Sequence, residues 1–129
     1  MKLQLLEQTF TVCQLDSLAE ADLSAPFTFL ARTDEEISLV CPVESCPNSA
    51  KNRQDGWKCL RVAGVLDFSL VGILARIAEC LAQAQVPLFA VSTYNTDYIL
   101  FREEHAPAAL EALKAAGYGM EGQTEAFIC

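Results

Sequence analysis

Residues 57–102 read WKCLRVAG, then VLDFSLVGILARIAECLAQAQ, then VPLFAVSTYNTDYILFR. The first segment is a short apolar run, the second repeats apolar residues with the period of a helix, and the third holds two apolar runs around a polar turn. This stretch is therefore predicted to form strand, helix, strand and strand. The strand gives way to the helix at Gly64–Ser69, where the unpaired backbone N–H groups of a helix start can hold an anion. We expect small-molecule binding to begin at this turn.

The predicted first helix runs to about Gln85. Asp67 or Ser69 can serve as its N-cap, and a stripe of apolar side chains marks the face that packs on the sheet: Leu70, Ile73, Leu74, Ile77, Ala78 and Leu81. Gly72 falls inside this helix, where glycine costs about 1 kcal/mol relative to alanine. We expect Gly72 to let a strand or a ligand come close.

The residues after this stretch complete a familiar order of elements. Apolar residues recur in helical spacing over 104–116 until Gly117 ends the pattern, and residues 124–129 are predicted to form a last short strand. With strands at 57–64, 87–93 and 98–101, the order is βαββα(β), the split βαβ pattern of ferredoxin-like domains. The predicted fold class is α+β: a ferredoxin-like (βαββαβ) antiparallel sheet with its helices on one face.

The first 50 residues predict a smaller module. Residues 2–15 alternate loosely, as one bent strand or as a hairpin around Glu7-Gln8, and residues 16–25 allow only a helical stub. Residues 27–31 and 37–41 predict a hairpin. Residues 42–56 contain two prolines, two asparagines and a glycine without any period, which is typical of a linker. The predicted domains are 1–50, a reduced module, and 51–129.

A weak internal repeat links the two halves. A shift of 61 positions along the sequence aligns Pro26 with Pro87 and Leu39 with Leu100. The shared order is proline, strand, acidic turn and strand. We interpret it as two related modules, the first of which has its long helix reduced to a stub.

Composition limits the partners. Seventeen acidic and nine basic side chains give a net charge of −8, which repels the phosphates of nucleic acid and anionic lipid surfaces. No apolar run approaches the roughly 20 residues needed to cross a bilayer, and the N-terminus lacks the pattern of a signal peptide. We expect a cytoplasmic protein that binds neither nucleic acid nor membranes. Its six cysteines are then expected to be reduced.

Catalytic and metal-binding patterns are weak. Cys41 and Cys46 lie in a proline-rich loop and could meet one zinc ion, but no second pair follows and His105 is the only histidine. The paired acids Glu35-Glu36 and Glu103-Glu104 lie in charged turns, and no glycine-rich phosphate loop is present. The sequence predicts no enzyme activity, no cofactor and no metal, with structural zinc at the two cysteines as the alternative.

Three motifs of the chain stand out together: WKCLRVAGVLDFSLVGIL (57–74), STYNTDYIL (92–100) and the upstream T-x-x-E-x-S-L-V-C-P (33–42). They resemble the ACT-domain proteins, specifically the small bacterial tandem-ACT branch related to the CASTOR arginine sensors. The resemblance implies a regulatory domain without catalysis that binds a free amino acid between two ACT modules. The positions that it assigns to the ligand are Asp67, Phe68, Ser69, Leu70, Val71 and Gly72 at the strand-to-helix turn, and Tyr94, Asn95, Thr96 and Asp97 at the hairpin.

The chemistry of a free amino acid is compatible with these residues. Its carboxylate needs N–H donors, which Ser69–Gly72 can supply, and its ammonium needs an acid such as Asp97 or Asp67. Tyr94 or Phe68 can form a wall of the pocket. The same acids have a structural interpretation, because Asp67 can simply cap the helix and Asp97 can simply close a turn with Asn95.

The predicted site has two halves. We expect the hairpin and the strand-to-helix turn to lie at opposite ends of the ferredoxin-like sheet, so that one ligand can use both only across an interface between modules. A homodimer is expected as well, because the strand around 88–91 is apolar on both faces and needs cover. The alternative function is a ligand-free dimerisation or protein-interaction module, in which the same turns are structural.

Overall fold

The computed structural model of the chain describes residues 1–64 and 72–122. Its strands and α-helices, in chain order, are β1 (Lys2–Leu5), β2 (Phe10–Leu15), β3 (Phe29–Arg32), β4 (Ile37–Pro42), β5 (Lys51–Val62), α1 (Ile73–Gln83), β6 (Phe89–Ser92), β7 (Asp97–Arg102), α2 (Ala106–Ala115) and β8 (Gly119–Glu121). Short 3-10 helices lie at Leu18–Glu20, Val43–Ser45 and Glu103–His105. The predicted strand at 124–129 falls outside the described residues.

The chain divides into two compact units. The C-terminal unit combines Met1–Glu7 with Lys58–Cys129, and the inserted unit is Gln8–Trp57. The first seven residues thus belong with the second half of the chain, whereas the sequence pattern places them in a domain of residues 1–50. The predicted linker at 42–56 is wrong over residues 51–56, which lie in β5. Residues 51–55 are exposed and polar, and they join the sheet through backbone pairing, which leaves no trace in side-chain periodicity.

The C-terminal unit has the predicted α+β, ferredoxin-like architecture. β6 pairs with β7, β7 with β5, β5 with β1, and β1 with β8. Both helices pack on this sheet, and the core contains buried side chains from each layer: Leu3, Leu5, Leu60, Val62, Ile77, Leu81, Val86, Ile99, Phe101, Ala106, Ala109, Leu110 and Leu113. The place beside β5 is filled by the N-terminal strand β1, which runs antiparallel to β5 and parallel to β8.

Helix α1 begins later than the sequence pattern predicts. Its first residue is Ile73, and Gly72 is the N-cap, with a left-handed φ of 81°. The assignment of Asp67 or Ser69 as N-cap is therefore wrong, and Gly72 precedes the helix. A positive φ is strained for a side chain with a Cβ, which gives a local reason for glycine at this position.

Neither helix suits a membrane. The longer one, α1, has 11 residues, about half of what a bilayer requires. Within residues 1–64 and 72–122, no helix is both long and apolar enough to span a membrane.

The inserted unit is a small antiparallel sheet in the order β3, β4, β2 and the first part of β5. The hairpin predicted from residues 27–41 is confirmed as β3 and β4. The helical stub is the 3-10 helix Leu18–Glu20, closed by a capping box in which Ser17 and Glu20 exchange hydrogen bonds. Residues 2–15 form two strands that each pair with β5 instead of forming a hairpin with each other.

The internal repeat exists with a shift of 60 residues, so the shift of 61 is wrong. Two strands and one 3-10 helix have matching bounds in the two units: Phe29–Arg32 with Phe89–Ser92, Ile37–Pro42 with Asp97–Arg102, and Val43–Ser45 with Glu103–His105. The turns match too, since Thr33 N–H donates to the Glu36 carbonyl and Thr93 N–H to the Thr96 carbonyl, both at 2.9 Å. A slip of one residue exchanges the two faces of a strand, so only the shift of 60 aligns core with core.

Candidate functional site at the end of β5

The turn between β6 and β7 lies against the end of β5. The Thr96 hydroxyl donates a hydrogen bond of 2.7 Å to the carbonyl oxygen of Val62, the last residue of β5. Thr96 is only 5% exposed. From Val62 the chain continues through Ala63 and Gly64 toward residues 65–71. The hairpin therefore lies at the same end of the sheet as the exit from β5, and the expectation that the two halves of the site lie at opposite ends is wrong.

The physical reason is strand direction. A strand, a helix and a second strand that returns to the same sheet bring the chain back to run in the original direction, and the hairpin after that second strand then forms at the end where the first strand finished. A site that uses both the hairpin and the exit from β5 therefore does not have to cross a module interface.

The predicted hairpin residues differ in their availability to a ligand. Tyr94 is 79% exposed and Asn95 is exposed as well. Asp97 is half-buried and accepts a hydrogen bond of 2.6 Å from the Ser92 hydroxyl across the β6–β7 pair. Thr96 instead holds the turn in place through its buried hydroxyl. The turn is also closed by Thr93, whose hydroxyl donates to the Thr96 carbonyl at 3.1 Å.

The other half of the predicted site is described only at its borders. Asp67, Phe68, Ser69, Leu70 and Val71 lie outside the described residues. Gly64 and Gly72 on either side have φ values of 90° and 81°. At Gly64 a Cβ would meet no atom within 4 Å, so backbone conformation and not crowding accounts for glycine there.

Arg76 is a candidate that the sequence pattern did not single out. Its backbone N–H donates to the Gly72 carbonyl at 2.9 Å, as expected for the first turn of α1. Its guanidinium lies next to Gly72, because a Cβ built on that glycine would be 3.8 Å from one of its terminal nitrogens. Arg76 is exposed and stands four residues after Gly72, the spacing that brings two helical positions together on one face. That spacing was the available signal.

These observations place complementary groups in one unit. A guanidinium lies at the first turn of α1, and a carboxylate and an exposed tyrosine lie in or next to the turn at the end of β5. A guanidinium binds a carboxylate with two parallel hydrogen bonds, and a carboxylate binds an ammonium. This set of groups matches the polar ends of a free amino acid.

The predicted alternative at Cys41 and Cys46 gains a third thiol. Cys13 lies in β2 with its sulfur 4.0 Å from that of Cys46. Within the described ranges, no group of three or more His, Cys, Asp or Glu side chains has an arrangement that could hold a metal ion.

Comparison with known proteins identifies the family. Residues 52–115 match the family model described as an ACT domain. The chain is an ACT-domain protein. The match begins in β5 and ends with α2, so it covers the C-terminal strand, helix, hairpin and helix described above. ACT domains generally bind amino acids in regulatory roles.

Individual relatives agree with this assignment. The human cytosolic arginine sensor for mTORC1 subunit 1 is 34% identical over 65 residues, which are 50% of this chain and 20% of that protein. The chain thus spans about a fifth of the length of the curated relatives it matches. The distant similarity to the arginine sensors that the motifs indicated is confirmed.

Solved structures share the fold along almost the whole chain. The crystal structure of protein Atu0741 from Agrobacterium tumefaciens has a TM-score of 0.81 and 28% identity, and the match covers 92% of this chain and 90% of that one. The ligand-free regulatory subunit of aspartate kinase from Thermus thermophilus has a TM-score of 0.65 at 11% identity, covering 91% and 97%. At 11% identity that second likeness shows the fold alone.

Proposed function

We propose that this ACT-domain protein is a regulatory module that binds a free amino acid and is not an enzyme. One observation carries the location of the site: the hydrogen bond from the Thr96 hydroxyl to the Val62 carbonyl. It fixes the hairpin beside the end of β5, next to the chain that leads to the predicted backbone donors at Ser69–Gly72. This position supports a site in which the hairpin and the predicted turn at 67–72 act together at one end of the C-terminal unit.

The proposed contacts follow from charge. The Arg76 guanidinium binds the carboxylate of the ligand, together with backbone N–H groups of the predicted turn at 67–72. Asp97 accepts a hydrogen bond from the ammonium group. Tyr94 and Asn95, both exposed in the turn, cover the side chain of the ligand. Thr96 takes the role of a positioning residue, because its own hydroxyl is already bonded to Val62.

A second ACT module completes the proposed site. The edge strand β6 leaves Phe89 and Val91 only half-buried, as expected for a surface that another copy covers. We propose a cytoplasmic homodimer in which the ligand lies at the interface between ACT modules, each contributed by one copy. A concentration series in light scattering tests this part, and a mass equal to that of the monomer at all concentrations would contradict it.

The binding proposal is tested by titrating the full chain with each of the twenty amino acids, using calorimetry and thermal unfolding. A ligand at 100 times its dissociation constant adds about 2.7 kcal/mol to the free energy of unfolding, which is readily detected. Arg76→Gln is expected to weaken binding at least ten-fold without changing the unfolding midpoint of the free protein. The matched control is Arg32→Gln, which removes the same kind of exposed charge from the inserted unit.

Two results would reject the proposal. One is the absence of stabilisation by any of the twenty amino acids at millimolar concentration. The other is a ligand whose affinity responds equally to both arginine variants. In the alternative function, a ligand-free dimerisation or protein-interaction module, Asp97→Ala and Ser69→Ala change the oligomeric mass or nothing at all.

A further inference from the structure

The inserted unit contains a cluster of three thiols that the proposed binding function does not use. Cys13 lies in β2 and Cys41 in β4, both buried on the same face as Leu15 and Leu39. Cys46 follows the 3-10 helix Val43–Ser45 and packs against this group while remaining half-exposed. The sequence separates Cys13 from Cys46 by 33 positions, and only the pairing of β2 with β4 brings the two together.

The two sulfur atoms of Cys13 and Cys46 are 4.0 Å apart, within the distance at which one thiol donates to the other. A disulfide bond needs the sulfurs at about 2.05 Å, so a modest rotation of the side chains must bring them together. Cys46 is the C-cap of a short 3-10 helix and is not part of a strand, so we expect its side chain to make most of this movement.

We propose that Cys13 and Cys46 are a modification site at which hydrogen peroxide forms an intramolecular disulfide bond. The Cys46 thiolate attacks one oxygen of the peroxide, the O–O bond breaks, and Cys46 becomes a sulfenic acid while hydroxide leaves and takes a proton to form water. The Cys13 sulfur then attacks the Cys46 sulfur. The S–O bond breaks, and the departing hydroxide takes the Cys13 proton to form a second water. Two thiols lose two electrons in total, and one peroxide gains them.

The order of the two steps follows from the environment of each thiol. Cys46 is the more accessible, so peroxide reaches it first. Burial, and next the charge of Cys46, raise the pKa of the Cys13 thiol to about 12, and the nearby Arg53 guanidinium opposes this more weakly. Cys13 is thus a poor nucleophile toward dissolved oxidants, yet it is held next to the one sulfur that it needs to attack.

Cys41 is the competing partner. Burial raises its pKa to about 11, and it also lies close enough to Cys46 to exchange a hydrogen bond with it. It is five residues from Cys46 in sequence, and it is held within β4. The Cys13 sulfur lies 4.0 Å from the Cys46 sulfur, on the neighbouring strand β2. Cys13 is therefore the proposed partner of Cys46, and a Cys41–Cys46 bond is the competing outcome.

The test uses the full chain after reduction. Hydrogen peroxide is added, free thiols are alkylated, and the protein is digested without reduction for mass spectrometry. Trypsin leaves Cys41 and Cys46 in one peptide, and a second cleavage after Glu44 separates them. We expect a linked pair that contains Cys13 and Cys46 and is about 2 Da lighter than the two thiol peptides combined, at ten times or more the amount of any pair with Cys41.

Variants provide the controls. Cys46→Ser is expected to abolish the linked pair and to leave Cys13 in the alkylated fraction, with circular dichroism confirming that the fold is retained. Cys41→Ser is the matched control and is expected to leave the Cys13–Cys46 pair unchanged. A dominant Cys41–Cys46 bond in the unmodified chain would overturn the proposal. So would Cys13 and Cys46 remaining as thiols after peroxide has oxidised the half-exposed Cys80 of the C-terminal unit.

Discussion

The hydrogen bond between Thr96 and Val62 makes a quantitative prediction. Thr96→Val replaces the hydroxyl by a methyl group of similar volume, so it leaves no cavity and removes only the donor. The Val62 carbonyl, next to a side chain that is 5% exposed, then loses a partner that water has little access to replace. An unsatisfied buried acceptor costs about 1–3 kcal/mol. We expect the free energy of unfolding to fall by about 2 kcal/mol.

Urea unfolding followed by far-ultraviolet circular dichroism measures this change. Thr96→Ser keeps the donor and removes one methyl group, so its cost is expected to stay below about 1 kcal/mol. Thr93→Val removes a hydroxyl from the same turn, but Thr93 is exposed and water can take the place of its hydroxyl. A loss below about 0.5 kcal/mol for Thr96→Val, or an equal loss for Thr93→Val, would refute the idea that this bond holds the turn against β5.

Further predictions concern other parts of the fold. Gly122→Ala is expected to destabilise the protein more than Gly117→Ala in the same urea assay. Both glycines have a positive φ, 100° at Gly122 and 98° at Gly117, so the backbone strain of a Cβ is similar at the two positions. A Cβ at Gly122 would also collide with the Leu5 carbonyl oxygen, whereas a Cβ at Gly117 would meet no atom within 4 Å. An equal loss of unfolding free energy in the two variants would show that Gly122 does not pack tightly against the Leu5 carbonyl of β1. Burial raises the pKa of the Cys59 thiol to about 12, so the folded state keeps this proton from pH 9 to pH 12 while the unfolded state, with its ordinary pKa of 9.0, loses it. The contribution of Cys59 to the free energy of unfolding is therefore complete below pH 9 and falls by about 1.4 kcal/mol per pH unit above it. Cys59→Ala is expected to make the decline of the unfolding free energy between pH 8.5 and 11 shallower. An unchanged slope would contradict this.

The order of elements could be predicted from sequence because it depends on periodicity. The stripe on α1 has the 3.6-residue period of a helix packed on one side, and Ile77 and Leu81 are buried as that period predicts. The apolar runs of β6 and β7 flank a polar turn, and the observed strands lie within two residues of the predicted ones. A family motif spread over the same stretch then identified the ACT domain before any contact was known.

Other features depend on contacts between residues that are far apart in the chain. Nothing in the sequence of β1 shows that it pairs with β5 and so joins the C-terminal unit, because strand pairing is made by backbone groups that every residue carries. For the same reason the polar first part of β5, residues 51–56, has the sequence pattern of a linker although it forms a strand. The direction of the strands, and not any side chain, places the hairpin turn of Thr96 next to Val62 and corrects the expected position of the site.

Periodicity and short motifs are therefore sufficient to predict the class of fold, the family and the hairpin residues of the candidate site. Only the folded chain shows that the Thr96 hydroxyl donates to the Val62 carbonyl and that Arg76 lies beside Gly72. The contact between the sulfurs of Cys13 and Cys46, which are 33 positions apart in sequence, is likewise visible only there. Local patterns follow from forces between near neighbours along the chain. The site and the thiol pair depend on which strands lie side by side, and that choice is made by the packing of the whole core.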